Sequence, residues 1–319
     1  MKRSICIFLI LAILCLCTGC EKKTQETVFA MDTVMDLQVW GREGEQAMAA
    51  IRLILTEQER LWSPADPDSM LHTPGWEHPL LTQAQALSQR TGGAFDPQLG
   101  QVVACWGFYT KDYCVPDQAQ LEQAMTQKRW DLGAAVKGYT GDLCVAALDK
   151  LDVDRAILNL GGNVQTYGEK PDGSAWQIGI QNPDGGSTAA TVSVTGTMAV
   201  VTSGDYQRYF EQDGVRYHHI IDPATGMPAS SGLRSVTVIC REGVTADALS
   251  TALFVMGLEK AAAHWQQYGD FEAVFITDTG KIYATQGAVV SGCEYEVIYR
   301  ENETLDRGAG GGAGPVPGA

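Results

Sequence analysis

The stretch Val201–Pro228, VTSGDYQRYFEQDGVRYHHIIDPATGMP, constrains the fold of this chain more than any other. Asp213-Gly214 separates two alternating runs, Gln207–Glu211 and Val215–Ile221. Asp-Gly in that setting specifies a tight turn whose residues take positive φ, so the flanking runs are expected to pair as an antiparallel hairpin. A Ser203-Gly204-Asp205 turn, the His218-His219 pair and the Asp222-Pro223-x-x-Gly226 turn crowd around it. That density of polar and turn chemistry exceeds what a structural hairpin needs, and it marks a place where something is bound or reacted. Neighbours on a strand point to opposite faces, so only one of His218 and His219 can look into a given site.

Helices and strands alternate irregularly around this hairpin. Ala30–Trp40 reads as a first strand. Glu45–Trp62 reads as a helix, with Ala47, Ile51, Leu55 and Trp62 on one stripe. The prolines of Ser63–Gly75 mark a loop, Thr82–Thr91 a second helix, and Gly92–Pro97 a tight connection. A helix from Tyr139 to about Leu151 follows Asp131–Gly138, and strands are expected at Ala156–Leu160, Trp176–Gln181, Thr191–Val194, Ala199–Val201 and Leu233–Cys240. A helix starting at Thr245 stops at Gly257, another covers Ala261–Tyr268, and strands at Ala273–Thr277, Lys281–Ala284 and Glu296–Tyr299 close an α+β domain over residues 30–300.

The ends of the chain read differently. Lys2 and Arg3 precede an apolar run, Ile5–Cys17, and the small pair Thr18-Gly19 precedes Cys20. This is the pattern of a cleaved signal peptide, residues 1–19, and the run is too short to span a bilayer. It resembles a bacterial lipobox, with Cys17 where Leu is usual, which would make Cys20 the lipidated N-terminus of a tether over residues 20–29. The tail 301–319 is Gly-rich without apolar period and reads as disordered. Removing residues 1–19 takes away two of 23 basic residues and none of 38 acidic ones, leaving 21 minus 38, or −17. That balance argues against nucleic acid as a partner. Beyond Cys20 the cysteines (105, 114, 144, 240 and 293) are scattered, odd in number and without paired spacing, so neither a zinc site nor a disulfide framework follows.

Two segments carry possible chemistry. In Asp131–Tyr139 a glycine-containing turn opens a helix, offering free N–H groups and a positive dipole end to phosphate, although glycines at helix starts serve structure equally often. Asp247 and Thr251 stand four apart, so on a helix their oxygens share a face. They could ligate a hard cation such as Mg²⁺, or Thr245 could cap the helix and Asp247 complement its dipole.

MDT, GGAFDP, DLGAAVKGY, NLGGN, SGDY, HHIIDPATG and TADALST occur in that order along the chain. Together they closely resemble the ApbE-like flavin transferases, from about Met31 to Val297. The resemblance implies a T-fold-like architecture of antiparallel and mixed sheets with packed helices, in two intimately joined lobes with FAD between them. It implies Mg²⁺-dependent transfer of FMN from FAD to a Thr or Ser hydroxyl of a membrane-associated redox protein, with AMP released, at the outer face of the bacterial cell membrane. FAD hydrolysis to FMN and AMP, or flavin binding without catalysis, are the alternatives. Position by position it assigns flavin contacts to Met31, Ala94, Phe95, Asp96, Asp131, Lys137 and Ile221. Metal contacts go to the Ala134 carbonyl, Asp247 and Thr251, with Ser250 beside them, and the general base is His219. Relatives often have an aromatic residue over the flavin where this chain is near Ala65, and Trp62 is a substitute.

Overall fold

Residues 22–300, apart from 64, 65, 67 and 74, are described by a computed structural model. The signal segment 1–19, Cys20, Ala65 and the tail 301–319 lie outside the described residues.

The expected tether gives way, from Lys23 on, to a strand. In β1 (Lys23–Ala30) alternate residues are exposed, and it pairs antiparallel with β2 (Thr33–Gly41) from Lys23↔Trp40 to Ala30↔Thr33. The β-branched Thr24 and Val28 share its half-buried side, as suits a pleated surface with one face covered. A two-residue turn, Met31-Asp32, joins the strands with φ of 50° and 60°. Non-glycine residues in that region cost roughly 1–2 kcal/mol each, so the turn is held by its surroundings.

β1 and β2 form one edge of a nine-stranded sheet. Beside them run β3 (Val153–Asn159) and β4 (Asn163–Tyr167), then β7 (Met198–Gly204), β10 (Leu233–Cys240), β11 (Glu272–Thr277), β12 (Ile282–Thr285) and β14 (Glu296–Ile298). All neighbours pair antiparallel except β12 and β14, so the sheet is mixed. β10 is buried nearly throughout, because it is covered on both faces. Val236, Val238 and Cys240 pack with Leu249, Phe254 and Trp265 of the helical face. Ile239 faces the other way, toward a small sheet of β5 (Trp176–Gln181), β6 (Thr188–Val194) and β13 (Val290–Ser291).

Three helices cover the first face: α1 (Gly44–Trp62), α5 (Val136–Leu148) and α6 (Gly243–Tyr268). The two helices expected after Thr245 are one run broken at Gly257, whose φ of 76° and ψ of 167° interrupt the helical path. The short helix α2 (Pro79–Arg90) packs Leu80, Ala84 and Leu87 with Val244 and Ala248 of α6, and α3 (Gly100–Cys105) and α4 (Gln118–Thr126) build a smaller layer, where Val102, Trp106, Phe108 and Leu121 pack with Ile221. The hairpin forms as expected, though shorter. β8 (Tyr209–Gln212) and β9 (Val215–His218) flank Asp213-Gly214 at φ of 54° and 77° and form a separate two-stranded sheet. The fold is α+β.

Candidate functional site

A cleft of about 710 Å³ opens where the starts of α5 and α6, the β1–β2 turn, the small helical layer and the β8–β9 hairpin meet. Every described residue assigned from sequence lines it, except Ser250.

The helix starts are built around two glycines. A Cβ on Gly138 would stand 2.0 Å from the Gly243 carbonyl oxygen, and one on Gly243 would stand 2.3 Å from that of Gly138, so only glycine permits this crossing. The contact makes an exchange possible. The Gly138 N–H donates to Asp247 Oδ2 at 2.8 Å, and the Gly243 and Val244 N–H groups donate to the Asp142 carboxylate at 2.6 and 2.9 Å. Each helix therefore places a carboxylate on the positive end of the other. Burial pushes the Asp142 carboxyl up to about 6 despite the two N–H donors. Asp247, 4% exposed, is also raised by burial, against the pull of Lys137. Burial lowers Lys137, against the pull of Asp247, and its ammonium reaches the Gly161 carbonyl at 3.4 Å.

Asp247 and Thr251 both line the cleft, one turn apart on α6 as their spacing required, and Ala134 lines it from the loop before α5. Ser250 lies behind them, fully buried. Its hydroxyl donates to the Asp247 carbonyl at 2.8 Å and shares a 2.8 Å bond with Ser203, so it supports the site from beneath. Among the described residues no group of three or more His, Cys, Asp or Glu side chains could hold a metal ion. A cation here would rest on one carboxylate with neutral oxygens, a set that fits Mg²⁺ better than a softer metal.

Two motif loops run together on the opposite wall. The Asp131 N–H donates to the Pro97 carbonyl at 2.9 Å, joining GGAFDP to DLGAAVKGY. Phe95 is 3% exposed and packs with Leu132. The Asp96 carboxylate is engaged by the Gln98 N–H at 2.8 Å and by Lys128 at 2.9 Å. Asp131 accepts from Tyr109 Oη and from the Gly133 N–H, both at 2.8 Å. Burial and the Asp131 charge push the Tyr109 hydroxyl far above its ordinary value, so it stays a donor. Met31 enters from the β1–β2 turn, its N–H donating to Glu59 Oε1 at 3.1 Å. Trp62 lines the cleft with its indole N–H on Gln58 Oε1 at 2.7 Å and its ring 5.0 Å from that of Trp76.

The histidines divide as strand geometry requires. His218 is buried against Phe254, with Nε2 3.1 Å from the Ala229 carbonyl. His219 lines the cleft. Its Nδ1 lies 3.1 Å from the Arg208 carbonyl, which also accepts the His219 N–H at 3.0 Å. A carbonyl only accepts, so Nδ1 carries the proton and Nε2 keeps its lone pair. Burial, with the Arg208 charge beside it, holds the ring well below 6.5, and His219 is a neutral imidazole able to take a proton. The sequence reading passed over Arg208, Tyr109 and Asp142. Asp142 had one signal: it stands a helical turn beyond Gly138, on the face that meets α6.

The sequence model of the ApbE family matches residues 31–275. The chain is 36% identical over 245 residues to a FAD:protein FMN transferase of Treponema pallidum (strain Nichols), covering 66% of this chain and 68% of that protein. The crystal structure of the ApbE protein from Thermotoga maritima superposes with a TM-score of 0.77 at 30% identity, covering 83% of this chain and 97% of that one. The apo form of Pseudomonas stutzeri flavinyl transferase ApbE superposes at 0.71, with 28% identity over 86% and 95% of the two chains.

Proposed function

Since the chain belongs to the ApbE family, we propose that it transfers FMN from FAD to a Thr or Ser hydroxyl of a target protein and releases AMP. The observation that carries this reading is His219: a neutral imidazole fixed by the Arg208 carbonyl, its free nitrogen in the same cleft as Asp247, Thr251 and Lys137. Transfer requires the acceptor oxygen to bond to the FMN phosphorus while the bond to the AMP oxygen breaks. The acceptor proton passes to His219 Nε2. Lys137 places a positive charge where the pyrophosphate would lie, and the buried surroundings keep that charge from being screened by water. Phe95, Met31, Ile221 and Trp62 offer apolar surface to the flavin.

Asp247, Thr251 and the Ala134 carbonyl would hold Mg²⁺. A magnesium ion there supplies Lewis-acid neutralisation of the pyrophosphate. We assign Cys20 as a lipid anchor and the outer face of the cytoplasmic membrane as the location on the lipobox-like sequence Thr18-Gly19-Cys20, and a membrane redox subunit as the acceptor on the family resemblance.

The test is purified protein with FAD and Mg²⁺, with and without an acceptor domain, followed by AMP release and acceptor mass. Acceptor gaining the mass of FMN supports the reading. AMP released equally without acceptor, and no adduct, replaces it with FAD hydrolysis. No AMP in either tube ends both.

A further inference from the structure

The chain leaves α3 at Cys105, runs out to the cleft and returns to its starting point at Cys114. Gly107 makes the turn at φ 77°, where a Cβ would meet the Asp112 carbonyl oxygen at 2.1 Å. The Lys111 N–H donates to the Gly107 carbonyl at 2.9 Å, and the Cys114 N–H to that of Trp106 at 3.4 Å. At this neck the Cys114 thiol reaches the Cys105 carbonyl at 3.3 Å. Both cysteines are unbridged, Cys114 exposed and Cys105 half-buried. What lies between them matters to the cleft. Phe108 packs edge-on to the His219 ring at 6.5 Å, and Tyr109 holds the Asp131 carboxylate.

We propose that Cys105 and Cys114 form a thiol–disulfide exchange site, at which a small-molecule disulfide converts the pair into an intramolecular bridge closing the 105–114 loop. A disulfide needs Cα atoms about 4.4–6.8 Å apart, and the Cys114 thiol already stands against the backbone of Cys105, 3.3 Å from its carbonyl oxygen. The buried thiols elsewhere do not compete, since Cys144 and Cys240 are sealed in the core and burial pushes each up to about 12. Burial, with Cys114 and Asp117 nearby, also raises Cys105. The exposed Cys114 is therefore the attacking thiol and Cys105 the resolving one.

With glutathione disulfide the balance is complete. The Cys114 thiolate attacks one sulfur, the glutathione S–S bond breaks, and the first glutathione leaves as a thiolate that takes up a proton. Cys105 then loses its proton and attacks Cys114 Sγ, expelling the second glutathione. Two protein thiols give up two electrons and two protons, and one glutathione disulfide becomes two glutathione thiols.

The experiment incubates the purified protein in glutathione redox buffers, blocks remaining thiols, and maps the products by peptide mass. A linked Cys105–Cys114 pair lighter by two hydrogens is expected, reversible by dithiothreitol and absent in Cys105→Ser. The bridged protein should melt at a higher temperature than the reduced one, a shift that Cys114→Ser abolishes. Separate glutathione adducts with no bridge, or a bridge to another cysteine, would overturn the proposal. The readout is mass and melting temperature, so it stands whatever becomes of the transferase reading.

Discussion

At the scale of single residues, the base role proposed for His219 makes the protonation of its ring decide when the cleft can act. In the empty cleft the ring takes up a proton only well below 6.5, whereas a bound pyrophosphate would favour the charged form. The acid limb of kcat/KM, set by the free enzyme, should therefore lie at lower pH than the acid limb of kcat, set by the complex. Coincident limbs in steady-state pH profiles would contradict the role. His219→Ala should lower FMN transfer by about 10²–10⁴-fold without preventing FAD binding, measured by acceptor mass and flavin fluorescence. Asp247→Asn should abolish any Mg²⁺-induced rise in melting temperature, and an unchanged shift would remove Asp247 from the metal. Most of these residues were legible because each sat in a motif of the family resemblance; turn and spacing alone left His219 and Asp247 open to a structural role. Tyr109 and Arg208 were not, since one acts on Asp131 across 22 positions and the other through a backbone carbonyl that any residue carries. Ser250 was placed beside Asp247 and Thr251 by the family resemblance; on the helix it points one position round, into the core.

At the scale of elements, the crossed starts of α5 and α6 are the least replaceable part. Gly138→Ala puts a methyl against the Gly243 backbone and should destabilise the fold by at least about 1–3 kcal/mol, read from urea unfolding. Asp142→Ala leaves the buried Gly243 and Val244 N–H groups without acceptors and should cost about 1–3 kcal/mol. The β1–β2 turn runs the other way: Asp32→Gly relieves a positive φ and should stabilise by up to about 1–2 kcal/mol, at the expense only of an exposed pair with Lys111. Long periodic elements such as α1 and the Asp-Gly hairpin were readable in advance. β4 was not, because Asn163, Gln165 and Thr166 owe their burial to β3 and β7 on either side. α4 has a weak apolar stripe, and its one sequence mark was the capping box of Asp117 and Gln120.

At the scale of the whole molecule, His78, His218, His219 and His264 are all held below 6.5 by burial. The unfolded chain then takes up protons first as pH falls below 6.5, so the folded state should lose stability between pH 7 and 6. Below about 6 the raised Asp142 opposes this, because the folded form binds its proton before the unfolded one does. Melting temperatures across that range should fall and then flatten; a steady rise from pH 7 to 6 would contradict the histidine account. The α+β class was legible from the mixture of periods, but the order of nine strands was not, since it rests on pairings between segments distant in sequence. One such pairing changes the meaning of the N-terminus. β1 begins at Lys23, only three positions after Cys20, and its eight residues end at the turn that enters the cleft. At about 3.4 Å per residue that strand is roughly 27 Å long. With the lipid proposed on Cys20, β1 would become a ruler: it would set the height above the membrane of the proposed FAD cleavage and how close an acceptor's own membrane segment must bring its hydroxyl. Flexible residues inserted ahead of Lys23 would release that height without touching the cleft.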